Sequence, residues 1–461
     1  MQILQSETLR GKFALLFTHQ NEHLHVLTRS VFMLVYFVFG SIDFKILVLI
    51  SNVALLGLLF FAYKTLPEKQ EKIFLLIPVA LLLFQLKQNW VHLIWAMEAL
   101  AALYALCFAG LSFYFLGKNS TKYFWWALFF ALISVLTHGS GVAIPVVGGS
   151  LLLIQKRFSM ASIWIVGALP VLVIYFNKLH FVANSPMTEL SLNDLARIGR
   201  FFISFIGAMA SYDNQTSLFT LGAFIISYFI FLVFKKYYKT NIAVFGFMVY
   251  LIFVAAMVSL SRSGVEEDLV FSNRYKIFSL TMVMLVYISA VDLFYPSTSR
   301  RWVFLVGVIL VMGFMFLVSY WGGREKLKFA RHSQLYRINQ WLDKNYSLYD
   351  KSESRTNMVM TKALTGGFYK VPYQFTRIPD GKYSTSVNSS VLCNKEGQRP
   401  IENAFNVIVV GPEISPIAVR IEGMIYDSKT ELRVEPKPIY VVLSSRAGSY
   451  IFTSHSHART Y

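Results

Sequence analysis

Four short stretches of the 461-residue chain carry side chains that can move protons or hold charge. The first is Thr18-His19-Gln20-Asn21-Glu22-His23-Leu24-His25-Val26-Leu27-Thr28-Arg29, which sets three histidines, a carboxylate and an arginine just ahead of apolar sequence. If helical, it puts Glu22, Val26 and Arg29 on one face and His19 and His23 one turn apart. That suits either an amphipathic helix lying at a membrane surface or a polar site. His19 and His23 lack a third convincing ligand, so no metal centre is expected there. The second stretch is Gln88-Asn89-Trp90, followed by His92, Trp95 and Glu98. An acid such as Glu98 within apolar sequence either faces a cavity or is a structural carboxylate paired with His92 or a lysine. The third, Thr137-His138-Gly139-Ser140-Gly141, is a tight turn between apolar runs. Its glycines serve a hairpin connection or the close approach of a ligand, and His138 is its candidate functional group. The fourth runs from Ser261-Arg262-Ser263-Gly264 through Glu266, Glu267 and Asp268 to Asn273-Arg274-Tyr275-Lys276. Arg262, Arg274 and Lys276 together could neutralise a phosphate or pyrophosphate, since a planar guanidinium binds two oxygens at once. Headgroup anchoring by snorkelling is the other reading.

The nucleotide-binding and serine-hydrolase signatures, G-x-x-x-x-G-K-[ST], G-x-G-x-x-G and G-x-S-x-G, give no support here for ATP-driven transport or serine hydrolysis. The net charge of 43 − 25 = +18 is shared between short loops and a polar tail, without a basic–aromatic pattern, so nucleic acid is excluded as a partner. Cys107 and Cys393 cannot form a metal cluster, and a disulfide between them is not expected.

These stretches must be positioned by a membrane-embedded scaffold. Hydrophobic residues make up 55% of the chain and charged residues 15%, too apolar for one soluble core. Stretches long enough to cross a bilayer, or nearly so, lie near 45–63, 73–87, 91–117, 123–137, 141–155, 160–177, 215–234, 241–260, 275–293 and 302–321. The fold class is therefore a polytopic α-helical membrane protein of about ten spans. Lysine and arginine favour a cytoplasmic loop after the first span, with the Lys235-Lys236-Tyr237-Tyr238-Lys239 run as the strongest anchor. The four polar stretches and the tail then lie outside the cytoplasm. Three regions follow: residues 1–29 as an outer amphipathic juxtamembrane segment, 30–323 as the transmembrane domain, and 324–461 as a small α+β extracytoplasmic domain. This tail carries 20 basic and 12 acidic residues, and strands are expected at 406–410, 417–426 and 439–444. An outward N-terminus without a preceding span leads to the expectation of a further helix upstream of Met1.

Asn21-Glu22-His23 with Arg29, Asn89-Trp90, the turn at 139–141 and Asn273-Arg274-Tyr275 occur in that order in a group of bacterial proteins that resembles the GT-C superfamily of membrane glycosyltransferases. The resemblance covers roughly residues 15–321. It implies transfer of a sugar from a polyprenyl-phosphate-linked donor to a glycan or lipid acceptor outside the cytoplasm, in the cell inner (plasma) membrane, as part of cell-envelope polysaccharide biosynthesis. The group usually continues its Asn-Glu-His segment with Arg, where this chain has Leu24. Its acidic motif is expected upstream of Met1; otherwise Glu22 is the essential acid. On this reading Glu22, His23 and His138 are catalytic, while His19, Asn21, Arg29, Asn89, Trp90, Arg262, Arg274 and Lys276 bind substrate. The implied partners are the lipid-linked donor, the acceptor and membrane lipids; no cofactor is assigned, and a divalent cation is left open. A polysaccharide polymerase or ligase ranks second, because the largest loop between spans, 178–214, is short for that class. A transporter of lipid-linked sugars and an inactive subunit are the further alternatives.

Overall fold

The computed structural model describes residues 2–20, 23–177, 191–210, 215–262, 272–295, 300–344 and 353–370, and four strands beyond residue 400. Short helices α1 (Gln2–Gln5) and α2 (Leu9–Leu16) precede α3 (Val26–Phe39) and α4 (Phe44–Thr65). Next come α5 (Lys72–Leu83), α6 (Leu86–Ile94), α7 (Ala96–Leu116), α8 (Thr121–Thr137), α9 (Ala143–Ile154) and α10 (Phe158–Phe176). Helices α11 (Leu192–Ile206), α12 (Gln215–Phe234), α13 (Ile242–Arg262), α14 (Lys276–Phe294), α15 (Arg300–Lys344) and α16 (Glu353–Thr365) complete the helical part. Two antiparallel pairs follow: β1 (Asn406–Val409) with β2 (Val419–Glu422), and β3 (Ile439–Ser445) with β4 (Gly448–Ser454). The chain divides into compact units at Met1–Lys370 and Val371–Tyr461, whereas residue 323, the expected boundary, falls inside α15. Residues 366–370, just after α16, belong to the helical unit: the Phe368 carbonyl accepts from the Ile42 amide, and Tyr369 packs edge-on to Phe44.

Helix α7 is the central pillar, packed against α4, α8 and α13. Its buried small residues, including Ala99, Ala102, Ala105, Ala109 and Gly110, let neighbouring helices approach closely. The apolar side chains of α10, α12 and α15 behave differently, with Val166, Phe224, Leu310, Phe314 and Leu317 exposed. Water-soluble proteins do not present apolar surface on this scale, whereas lipid matches it. Among the described residues, seven helices are long and apolar enough to cross a membrane: α4, α7, α10, α12, α13, α14 and α15. An eighth span exists if the bent pair α5–α6 is taken as one.

The expected span at 91–117 is broken. Trp95 adopts an extended backbone between α6 and α7, so residues 91–94 belong to α6. Helix α6 in turn bends away from α5 by 74°. The expected spans at 123–137 and 141–155 are helical but short, and α3 is a third short apolar helix.

The expected 178–214 loop contains α11, initiated by a capping box between Ser191 and Asp194. Its last turn lies backbone-to-backbone against α12. A Cβ on Gly222 would stand 1.9 Å from the Ile203 carbonyl oxygen, and one on Gly207 1.9 Å from that of Leu218. Gly222→Ala should therefore lower stability by about 2 kcal/mol, seen as a reduced thermal midpoint in detergent. Gly307→Ala, where no atom lies within 4 Å of the added carbon, is the matched control. Equal midpoints for the two variants would contradict the close α11–α12 contact.

Candidate functional site

The site is assembled around a loop that the sequence reading allowed to be helical. Residues 18–20 and 23–25 are not helical, so His19 and His23 do not share a helix face. Two constraints replace the helix. Gln20 and His23 pair backbone to backbone, at 2.9 and 3.2 Å, bracketing Asn21 and Glu22, which lie outside the described residues. The Arg29 guanidinium, from the first turn of α3, reaches back to the carbonyls of Leu15, Leu16, Thr18 and Leu24. Arg29 thus fastens the end of α2 and both arms of the loop, which is a positioning role. His25 sits at φ 53°, a left-handed conformation uncommon outside glycine and asparagine.

This loop meets the turn between α8 and α9. Helix α8 ends at Thr137, and His138 is extended, its Nδ1 accepting from the Ser140 amide at 3.2 Å. The Gly139 amide donates to His23 Nδ1 at 3.1 Å. Glycine is required there, because a Cβ would lie 2.7 Å from that nitrogen and 2.8 Å from the Tyr175 hydroxyl. The His23 and His138 rings stack with centroids 4.3 Å apart, and His25 stands edge-on to His23. His19 Nε2 is 2.8 Å from the Tyr175 carbonyl, which fixes the other side of the loop.

Since each Nδ1 accepts an amide hydrogen, neutral His23 and His138 carry their proton on Nε2. Burial, His25 and the charges of Arg262 and Arg274 lower His23 to about 3. Burial also lowers His138 well below the usual value, with His23 next in effect, and lowers His25 to about 4. The imidazoles are therefore neutral hydrogen-bond donors at pH 7, and positive charge at this end comes from the arginines.

Arg274 lies just ahead of α14, its guanidinium 5.1 Å from the centre of the Trp95 ring. That contact accompanies the break at Trp95, for which the local sequence gives no glycine or proline. Arg274 also lies within electrostatic reach of His23, His92 and Glu98. Lys276 is buried at the start of α14, and Arg262 ends α13 within reach of His23. This strip is braced by α11: Phe205 packs on Tyr275 and Phe278, and the Ser279 hydroxyl donates to the Ile206 carbonyl while accepting from the Met209 amide. Asn89 donates to the Leu83 carbonyl at the α5–α6 bend, and Trp90 is partly buried beside it.

All four stretches singled out in the sequence thus contribute to one end of the helical unit. His19, His23, His138, Arg262 and Arg274 are connected by contacts or by charge, Asn89 and Trp90 stand on α6 with His92, and Arg29 holds the loop. Sequence reasoning missed Gln85, Tyr175 and the bracing by α11; it named Gln88 and His25 within its polar stretches but gave neither a role. Gln85, Gln88, Asn89 and His92 do follow helical spacing, but a continuous span through residue 95 hid the helix they share. Among the described residues, no group of three or more His, Cys, Asp or Glu is arranged to hold a metal ion. No family model, curated protein or solved structure matches the chain.

The buried neutral histidines give stability a defined pH dependence. In the unfolded chain they take a proton near 6.5, while folded His23 and His25 resist it until about 3 and about 4. Stability is accordingly full above 6.5 and falls as pH drops through that window. His25→Asn keeps a residue suited to positive φ and removes one titration. Its thermal midpoint should decline less steeply than that of the unaltered chain between pH 6.5 and 4; identical slopes would show that His25 is not buried in neutral form.

Proposed function

We propose that the chain transfers a sugar from a polyprenyl-phosphate-linked donor to a glycan or lipid acceptor outside the cytoplasm, as a membrane glycosyltransferase of the GT-C type. The observation that carries this reading is the convergence of Arg274 and Arg262 with the neutral His23–His138 stack at one end of a bundle with lipid-facing helices. Two guanidinium groups suit a phosphate, and neutral imidazole donors suit the oxygens of a sugar.

In the transfer, the acceptor hydroxyl oxygen forms a bond to the anomeric carbon while that carbon's bond to the phosphate oxygen breaks. The hydroxyl proton passes to a carboxylate, which we assign to Glu22 from its place in the sequence beside His23. The departing lipid phosphate takes up negative charge, which Arg274 and Arg262 stabilise. His23 and His138 orient the sugar oxygens, and Lys276 adds to the positive field.

A second reading, a transporter of lipid-linked sugars, is favoured by one observation: the break between α5 and α6, since discontinuous helices often frame transport sites.

The test is transfer of radiolabelled sugar from polyprenyl-phosphate donors in membranes containing the chain. Arg274→Ala should reduce transfer by about 100-fold or more, the scale seen when a transition-state charge partner is lost, and Glu22→Gln should abolish it. Movement of intact lipid-linked sugar across vesicles without transfer would establish the transporter. Unchanged transfer in Glu22→Gln would remove Glu22 from the role of base.

A further inference from the structure

A partly open cavity of about 210 Å³ lies between α1, the first half of α3 and the start of α7. Leu4, Phe32, Met33, Ile42 and Met97 supply most of its apolar lining. Phe32 and Ile42 also pack on the buried cluster of Val35, Leu47, Ala96 and Leu100, so α3, α4 and α7 fix that wall. The volume exceeds the ~150 Å³ of an apolar cavity that accepts benzene, and in proportion it has room for a hydrocarbon segment of about eight carbons. This space is set apart from the cationic strip at α13 and α14. Its His25 feels the charge of Arg29, whereas His23 lies within reach of Arg262 and Arg274.

The surroundings and the edge of the cavity narrow what enters it. On α3, Leu34 and Phe37, one and four residues after Met33, are exposed, as are Leu9 and Phe13 on α2. In a membrane-type bundle such surface faces lipid, so acyl chains are the medium beside the cavity. Its polar edge is marked by exposed Gln20 and half-buried Arg29. All of the Arg29 bonds to loop carbonyls use Nη1. Among the described residues, its Nε and Nη2 hydrogens therefore meet no acceptor, and no carboxylate pairs with the guanidinium. Those donors suit anionic oxygens. An apolar interior bounded by a cation fits an amphiphile, with its chain inside and its head at the guanidinium.

We infer that this cavity binds an anionic phospholipid of the surrounding bilayer, one acyl chain inserted between α1, α3 and α7 and the phosphate or ester oxygens held at Arg29. The site goes beyond the transferase reading and does not depend on it, since its ligand is a resident of the membrane and not a substrate. Arg29 also fastens the loop that carries His23, so the bound lipid steadies that loop.

The experiment strips the full chain of lipid in detergent, adds back phosphatidylglycerol, phosphatidylcholine or polyprenyl phosphate, and counts retained lipid by native mass spectrometry. The unaltered chain should hold one phosphatidylglycerol about 5-fold more tightly than phosphatidylcholine, the scale of one cation acting on an anionic lipid. Met33→Trp fills the cavity and should weaken that lipid by about 10-fold or more. Its thermal midpoint should gain less from added phosphatidylglycerol than that of the unaltered chain. Met97→Trp makes the same test from α7 should Met33→Trp not fold, and Leu310→Trp, on an exposed position of α15, is the control. Equal retention of phosphatidylglycerol in the cavity variants and the control would overturn the site. Absence of a preference over phosphatidylcholine in the unaltered chain would overturn the anionic head at Arg29. A preference for polyprenyl phosphate over phosphatidylglycerol that Met33→Trp removes would give the cavity to a prenyl chain and overturn the phospholipid. Sugar transfer is not the readout, so each of these outcomes leaves the transferase reading where it stands.

Discussion

The approach of Gly139 to His23 is the contact on which this end of the molecule depends. One amide hydrogen reaches an imidazole nitrogen only because no Cβ intervenes. That bond couples the N-terminal loop to the α8–α9 turn, fixes the tautomer of His23 and permits the ring stack with His138. The energy of a single hydrogen bond is modest; its importance lies in what it aligns. Arg29 acts on the other side of the same loop, gathering carbonyls that would otherwise be left without partners next to apolar helices.

A membrane-type bundle constrains how such a loop can be held. Packing in lipid relies on close approach and on satisfied polar groups. Helix α7 supplies the first, its small residues bringing α4, α8 and α13 together. Helix α11 supplies part of the second, with Ser279 bonded to backbone on both sides of the turn that follows that helix. The rigid parts thus converge on the strip from Asn273 to Lys276, where the cationic side chains stand.

Much of this was legible in the sequence, for reasons that can be named. Spans such as α4, α12, α13 and α14 are long apolar runs, and hydropathy alone reveals them. The four polar stretches stood out because ionisable residues are rare in such sequence. The break at Trp95 was not legible: residues 91–117 are uniformly apolar apart from His92 and Glu98, and the break coincides with a cation–π contact to a residue nearly 180 positions away. The same blindness hid Gln85 and its helical spacing to Gln88 and His92, which becomes meaningful only when α6 is a separate helix. Helix α11 escaped notice because its capping box and amphipathic pattern lie in a polar connection.

The two ends of the helical unit handle buried polarity in opposite ways. At the end where α4 leads to α5 and α14 to α15, the Asp292 carboxylate accepts from the Tyr237 hydroxyl and from Asn241, and Asn241 also donates to the Thr65 carbonyl. Glu71, nearly inaccessible, pairs with Arg301 at 3.1 Å, and the Tyr287 hydroxyl donates to the Leu75 carbonyl. Tyr295 apart, the buried polar side chains described there are internally satisfied, as a structural network must be to repay its desolvation. At the opposite end, His25, Gln85, Gln88, Asn89, Trp90, His92 and Asn273 each keep a buried polar atom without a partner among the described residues. Arg262 and Arg274 lie within electrostatic reach of His23, and Arg274 also of His92 and Glu98. One end thus meets its buried polar groups with one another, whereas at the other several buried donors and acceptors have no partner among the described residues and lie near cationic side chains.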